Sequence, residues 1–404
     1  MKRTAAALAL VAVLAGPVAA IEDIATEEDV AELLVTPYDV EEAGAAGRRW
    51  AVLPLIGYGK RTGGVFGAKF TDRDFLSSHL TLGLQAAYSS NSQGRVAFNI
   101  GNPYVDGERF LWNFRAGYDD DPSYRFFALG TNDLGPNPFT THSRKRALAQ
   151  ALFGWRPWPR LALNLTASFR HFDIGRGDRS FGAPFTVEEF PVLPGVQGGF
   201  TTPLAISAVL NTRDDLLRPT RGWRAIARAV WDPPGADYEF ARLVLDAGYL
   251  YPFDNGRHIL GARLDAGFVA GPRVAVPFWE LEAAGGDDTV RGFVSEQFLG
   301  DTRLILSTEY RTRLFSFDFF DVWVVRVDGA LFFDVGRVFI SDDEIRDDLA
   351  PNAEPVIDAL RDGPIYGGGP GLRFALSQAL VARIDVAFSD EQLPIVYLAF
   401  GHTF

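Results

Sequence analysis

From Trp50 onward the chain alternates apolar and polar residues with a period of two, segment after segment. In Arg303–Leu314 one face carries Leu304, Leu306, Thr308, Tyr310 and Leu314, and the other Arg303, Ser307, Glu309, Arg311 and Arg313. In Trp323–Val335 one face runs Trp323, Val325, Val327, Gly329, Leu331, Phe333 and Val335, against Arg326, Asp328, Phe332 and Asp334. Leu260, Ala262, Leu264 and Phe268 oppose Arg263 and Asp265, and Ala382, Ile384, Val386 and Phe388 oppose Arg383 and Asp385. Such segments form strands with one apolar face. Their length of about ten residues suffices to cross a hydrocarbon layer at a barrel tilt. A soluble sandwich also alternates, but its strands are usually shorter and its polar face looks at water. Here the polar faces mix Arg with Asp and Glu over many strands, which suits an enclosed lumen where opposite charges pair.

The pattern divides into sixteen strands, from 51–60 and 62–71 through 302–314 and 323–335 to 381–389 and 395–404, and 124–131 is readable as one more. The expectation is a sixteen-stranded antiparallel transmembrane β-barrel over residues 50–404. With the N-terminus in the periplasm, the long connections 120–141, 172–202, 270–301 and 336–365 all fall outside, and the inward turns are short. That asymmetry is the one outer-membrane barrels show.

The chain begins Met1-Lys2-Arg3, continues as an apolar run and reaches Gly16-Pro17-Val18-Ala19-Ala20, the layout of a secretory signal peptide over 1–20. Residues 21–49 are acidic and Ala-rich. They read as a short periplasmic segment with one short helix behind a Thr26 cap. The chain has no cysteine, which excludes disulfides and thiolate chemistry. Its net charge of −12 argues against nucleic acid as a partner. These features leave a soluble secreted β-protein, a lectin-like or carbohydrate-active sandwich, or an outer-membrane barrel.

Several motifs, in order, resemble the barrel domain of the Omp85 superfamily, of the surface-antigen D15 or BamA/TamA type. They are Asn102-Pro103-Tyr104, Asn211-Thr212-Arg213-Asp214 with Arg218-Pro219-Thr220-Arg221-Gly222-Trp223, and Gly285-Gly286 followed by Val290-Arg291-Gly292-Phe293. Phe332-Phe333-Asp334-Val335-Gly336 and Gly369-Pro370-Gly371-Leu372-Arg373-Phe374 complete the series. The resemblance implies a sixth external loop folded into the lumen, with Arg291 of its Val290–Phe293 motif against acids of the inner wall. The matching acids are Glu309 and Asp334, both on the charged face. It implies turn geometry at the periplasmic end for Arg213, Asp214 and Gly222, and an assembly signal at the terminal Phe404. Family members usually carry periplasmic POTRA domains, and the 29 residues between Ala20 and Trp50 are too few for one, so the chain resembles a POTRA-less member.

By the same resemblance the protein belongs in the outer membrane and assists insertion or translocation of other proteins, with 51–60 and 395–404 as the seam. A passive pore or structural surface-antigen barrel is the other reading. The implied partners are outer-membrane lipid and lipopolysaccharide, the barrel-assembly machinery during biogenesis, and client proteins or a separate periplasmic partner. No cofactor is implied. Enzyme signatures are missing: His79, His142, His171, His258 and His402 form no His-Glu-x-x-His, and there is no Gly-x-Ser-x-Gly. His142-Ser143 reads as part of a loop, and Asp342, Asp343, Glu344, Asp347 and Asp348 as a solvated outer loop rather than a metal site.

Overall fold

The computed structural model describes residues 50–59, 63–77, 80–102, 109–130, 139–178, 182–215, 218–271, 276–319, 323–358, 363–376, 380–389 and 394–400. The signal peptide, the segment 21–49 and Phe404 lie outside these. Nineteen strands occur among the described residues. The first seven are β1 (Trp50–Gly59), β2 (Gly63–Phe75), β3 (Leu80–Ser89), β4 (Gly94–Gly101), β5 (Phe110–Phe126), β6 (Thr140–Trp158) and β7 (Leu161–Arg176). Next come β8 (Gly199–Thr201), β9 (Leu204–Asn211), β10 (Gly222–Asp232), β11 (Phe240–Phe253) and β12 (His258–Ala270). After the short β13 (Glu282–Ala284) and β14 (Phe298–Gly300) follow β15 (Thr302–Phe319), β16 (Trp323–Phe339), β17 (Ile365–Leu376), β18 (Leu380–Ser389) and β19 (Ile395–Phe400).

All but β13 and β14 belong to one 17-stranded sheet, in which every ladder with a described register is antiparallel and follows chain order. β8 and β9 lie end to end along the same edge of β7. The break between them is chemical: Pro203 has no N–H to give the ladder, and the Thr202 N–H turns instead to Asp232 Oδ1 at 2.8 Å. Counted as lanes across the sheet, β8 and β9 share one position.

Alternation sorts the side chains as physical chemistry requires. Phe110, Trp112, Phe114, Leu163, Leu165, Leu260, Leu264, Leu304, Leu306, Leu331 and Phe333 stand exposed on one face. The opposite face carries Arg115, Asp119, Asp246, Asp265, Glu309, Arg311 and Asp334, and it is covered. No helix among the described residues is long and apolar enough to cross a membrane; the strands carry the apolar surface.

Several strands run well past ten residues, which corrects the sequence reading. β5 has 17 residues and β6 has 19, so 120–126 is strand rather than loop, and among the described residues 124–126 belong to β5 rather than to a separate strand. The apolar alternation stops there, but the ladder continues through charged cross-strand partners, Asp119↔Arg146, Asp120↔Lys145 and Asp121↔Arg144. His142 therefore lies on β6, fully buried, with Nδ1 sharing a hydrogen bond of 3.2 Å with Thr186 Oγ1.

The long connections pack on one another. A shared apolar core joins Phe126 and Leu129 near the end of β5, Phe190 and Leu193 from 177–198, Phe278 from 271–301, and Ile345 and Leu349 from 340–364. Phe126 meets Phe190 and Phe278 edge-on at 5.5 and 5.4 Å. The acidic stretch at 342–348 is a helix, α1 (Asp342–Leu349). Ser341 and Glu344 close a capping box at its start, and Ile345 and Leu349 are its buried face. Asp342, Asp343 and Glu344 sit in its first turn, the positive end of the helix, where negative charge stabilises it.

Candidate functional site

In the connection from β12 to β15, residues 276–301 cross the covered face of the sheet. A 3-10 turn at Phe278–Glu280 and the β13–β14 pair give the segment its shape. The tip is a tight knot: Gly286 N donates to Phe293 O at 3.2 Å, and the Thr289 hydroxyl to Gly285 O at 2.8 Å. Gly292 has φ +105°, a conformation side chains rarely adopt, and a Cβ there would lie 3.1 Å from Phe388 O.

Arg291 is fully buried. Its guanidinium grips Asp334 of β16 with both arms, Nε to Oδ2 at 2.7 Å and Nη2 to Oδ1 at 2.9 Å, and its backbone N–H reaches the same carboxylate at 3.2 Å. Nη1 lies 3.4 Å from Glu309 of β15 and 3.4 Å from Asp385 of β18. The guanidinium Cζ sits over the Phe332 ring, 3.6 Å from its centroid. These acids sit on three strands, so the one side chain ties three strands together. Arg373 of β17 bonds Glu309 Oε2 at 2.6 Å and Asp385 Oδ1, and Arg311 approaches Glu309 Oε1 at 3.2 Å. Arg383 holds the loop's Asp287 and Asp288 at 2.7 and 2.9 Å. Burial opposes charge on Arg291, but Asp334, Glu309 and Asp385 outweigh it and push the guanidinium further above its ordinary value.

The apolar half of the motif is packed as tightly. Val290 and Phe293 are fully buried with Ala284, Phe298, Ile305, Val338 and Ile365, and the Phe293 and Phe298 rings meet edge-on at 5.1 Å. The loop's backbone presses against glycines of the wall: a Cβ on Gly367 would fall 1.6 Å from Arg291 O. Tyr397 of β19 completes the seat. Its hydroxyl accepts from Gly292 N at 2.9 Å and donates to Phe293 O at 2.6 Å.

Two further anchors lie upstream on the same loop. Glu280 is buried between Arg170 of β7 at 2.8 Å and Arg242 of β11 at 3.2 Å. Burial alone would raise the Glu280 carboxyl, but these two guanidinium groups hold it below the usual carboxylate range. Glu282 meets Arg242 at 3.1 Å and Arg303 at 3.5 Å. Toward the return strand, Glu296 accepts from the Tyr124 hydroxyl of β5 at 2.5 Å.

The sequence pointed to Arg291, Glu309 and Asp334, which are in contact. Asp385, Arg373 and Tyr397 were missed as partners. Asp385 and Arg373 carried the signal of charged positions on alternating strands; Tyr397 carried none beyond its place on the final strand. Glu280 and Glu282 were missed because an acid in a loop looks solvated until the loop is folded.

Local bonds hold the described residues of the 212–222 turn. Asp214 Oδ1 accepts from Thr220 N at 2.9 Å and Arg221 N at 3.1 Å, and Oδ2 from the Thr220 hydroxyl. Burial works against the Asp214 anion, yet these hydrogen bonds keep its pKa below the ordinary value. Arg213 turns back to Asn211 Oδ1 at 3.2 Å, and Gly222 has φ +111° with the space of its missing Cβ taken by Thr212 O.

A family model described as the Omp85 superfamily domain matches residues 56–404. The chain belongs to the Omp85 superfamily. Members of this superfamily are outer-membrane channel and translocase proteins rather than enzymes; they mediate protein biogenesis and translocation in that membrane and meet its lipids and BAM-like machinery. Among solved structures, BamA from Haemophilus ducreyi lacking POTRA domains 1-3 is similar at 17% identity and a TM-score of 0.63, covering 87% of this chain and 69% of that one. CdiB from Escherichia coli is similar at 13% identity and a TM-score of 0.55, covering 89% of this chain. This chain spans 62% of that CdiB chain. At these identities the likeness is one of fold: a large antiparallel sheet consistent with a β-barrel, placed by family in the outer membrane.

Proposed function

We propose that the sheet closes as a sixteen-lane barrel with its N-terminus in the periplasm and the 271–301 loop inside the lumen, and that the protein assists insertion or translocation of other proteins at the outer membrane. Residues 1–20 then direct export, and 21–49 form a short periplasmic lead. The carrying observation is the double attachment of the Val290–Phe293 motif. Arg291 joins it to β15, β16 and β18, and Tyr397 joins it to β19, the last described strand. A loop bonded to the terminal strand can sense and resist any opening of a seam between that strand and β1. Glu309 and Asp334 serve as the wall, Arg213, Asp214 and Gly222 as a fixed periplasmic turn, and Phe404 as an assembly signal. Partners are outer-membrane lipid and lipopolysaccharide, the assembly machinery, and clients delivered by a separate periplasmic protein.

A passive pore is the second reading. The apolar core shared by the long connections works against it, since it lays a packed layer over one end of the molecule. The test is reconstitution of the full chain into vesicles, followed by addition of an unfolded outer-membrane barrel. Faster protease-resistant insertion than into empty vesicles supports an insertase. Unchanged insertion together with steady ion conductance favours the passive pore.

A further inference from the structure

The corner between β6 and β7 reads Trp155-Arg156-Pro157-Trp158-Pro159-Arg160, and the anchored loop makes no use of it. The two strands pair regularly to Trp155↔Leu163 and then skip to Trp158↔Leu161, so a bulge holds Arg156 and Pro157. In a regular strand residues 155 and 158 face opposite ways. The bulge turns Trp158 onto the same bare face as Trp155, and the two side chains are 65% and 42% exposed. Phe110, Trp112 and Phe153 share that face, the rings of Phe110 and Phe153 stacked at 6.0 Å.

Arginines gather at the same corner. Arg156 N donates to Arg109 O at 2.8 Å, which sets residues 109 and 156 side by side, and Arg160 O accepts from Asn211 N at 2.9 Å. The side chains of Arg109 and Arg160 are exposed, and Arg156 is half-buried. The acids nearest in sequence, Asp106 and Glu108, lie in 103–108, outside the described residues. Pro157 and Pro159 fix the backbone of the turn.

We propose that this corner binds the phosphate headgroup of an anionic phospholipid. Trp155 and Trp158 lie where acyl chains meet headgroups, the depth that amphipathic indoles favour. Arg109 and Arg160, both exposed, face the phosphodiester, whose oxygens match the guanidinium fork. The proposal rests on the barrel reading, in which the bare face meets lipid.

The test uses the full chain in nanodiscs, with phosphatidylglycerol or phosphatidylcholine brominated on its acyl chains and present at equal mole fraction. Stronger quenching of tryptophan fluorescence by the brominated phosphatidylglycerol is expected, with the excess reduced in Trp158→Phe and lost in Trp155→Phe/Trp158→Phe. An Arg109→Gln/Arg160→Gln variant, which leaves the ladders intact, should lose about fivefold in preference for each arginine removed. Equal quenching of the wild type by both lipids overturns the proposal, as does a preference that survives in the double variant. A preference governed by residues 21–49, seen as its change on their deletion, assigns the arginines to that acidic segment and also overturns it. Failure of the barrel reading has a different signature: neither lipid quenches.

Discussion

A guanidinium buried among three carboxylates has no cheap substitute. The seat of Arg291 is fully buried, so Asp334 depends on it for compensation, and Glu309 and Asp385 depend on it together with Arg373. Removing one partner of a buried pair costs about 3–5 kcal/mol, more than an exposed pair is worth. Arg291→Glu should therefore release the loop and lower the urea midpoint of the folded barrel, with chymotrypsin now cutting after the aromatic residues of 276–301. A second change, Asp334→Arg, should return part of the lost stability, because it restores opposite charges across the same gap. Gly292→Ala is a finer probe. At φ +105°, with Phe388 O in the way, a methyl should cost about 1–3 kcal/mol of loop attachment without removing a charge. Protease sensitivity without loss of barrel secondary structure is the expected result.

Loops and strands divide the work differently from what periodicity suggests. Alternation located the strand cores well, because a two-faced strand must show period two. It failed where β5 and β6 rise into charged ladders, since Asp119–Asp121 against Arg144–Arg146 leaves no apolar signal. The same limit hid the loop core: Phe278, Ile345 and Leu349 look scattered in sequence and become one cluster only when three connections meet. Ile345→Ala should loosen that layer by about 2–5 kcal/mol and raise ion conductance in planar bilayers, while strand content is unchanged. The acids of the loop give it a pH dependence. Glu280 has a folded pKa below its ordinary 4.5, so its anchoring is complete above that value and is lost as pH falls through the depressed one. Protease cleavage of 271–301 should rise on acidification below the ordinary carboxylate value of 4.5, and Glu280→Gln should show the cleavage already at neutral pH.

Across the whole molecule, charge links the sequence to the arrangement. The covered face presents surplus arginine at Arg170, Arg242 and Arg303, and the loop sets Glu280 and Glu282 opposite them. Where the face presents Glu309, Asp334 and Asp385, the loop supplies Arg291. The motif residues were legible one by one, but the match along the length of the loop was not, since it exists only once β7, β11, β15, β16 and β18 face a common space. If that match is what seats the loop, the backbone of the motif is shielded as well as bonded. Hydrogen exchange of the full chain in lipid reads this directly. The amides of Arg291 and Gly292, donated to Asp334 and Tyr397, should exchange as slowly as those of β15 and β16, and Arg291→Glu should speed them while the strands stay protected. Exchange of those two amides in the wild type as fast as in an open surface loop would contradict it.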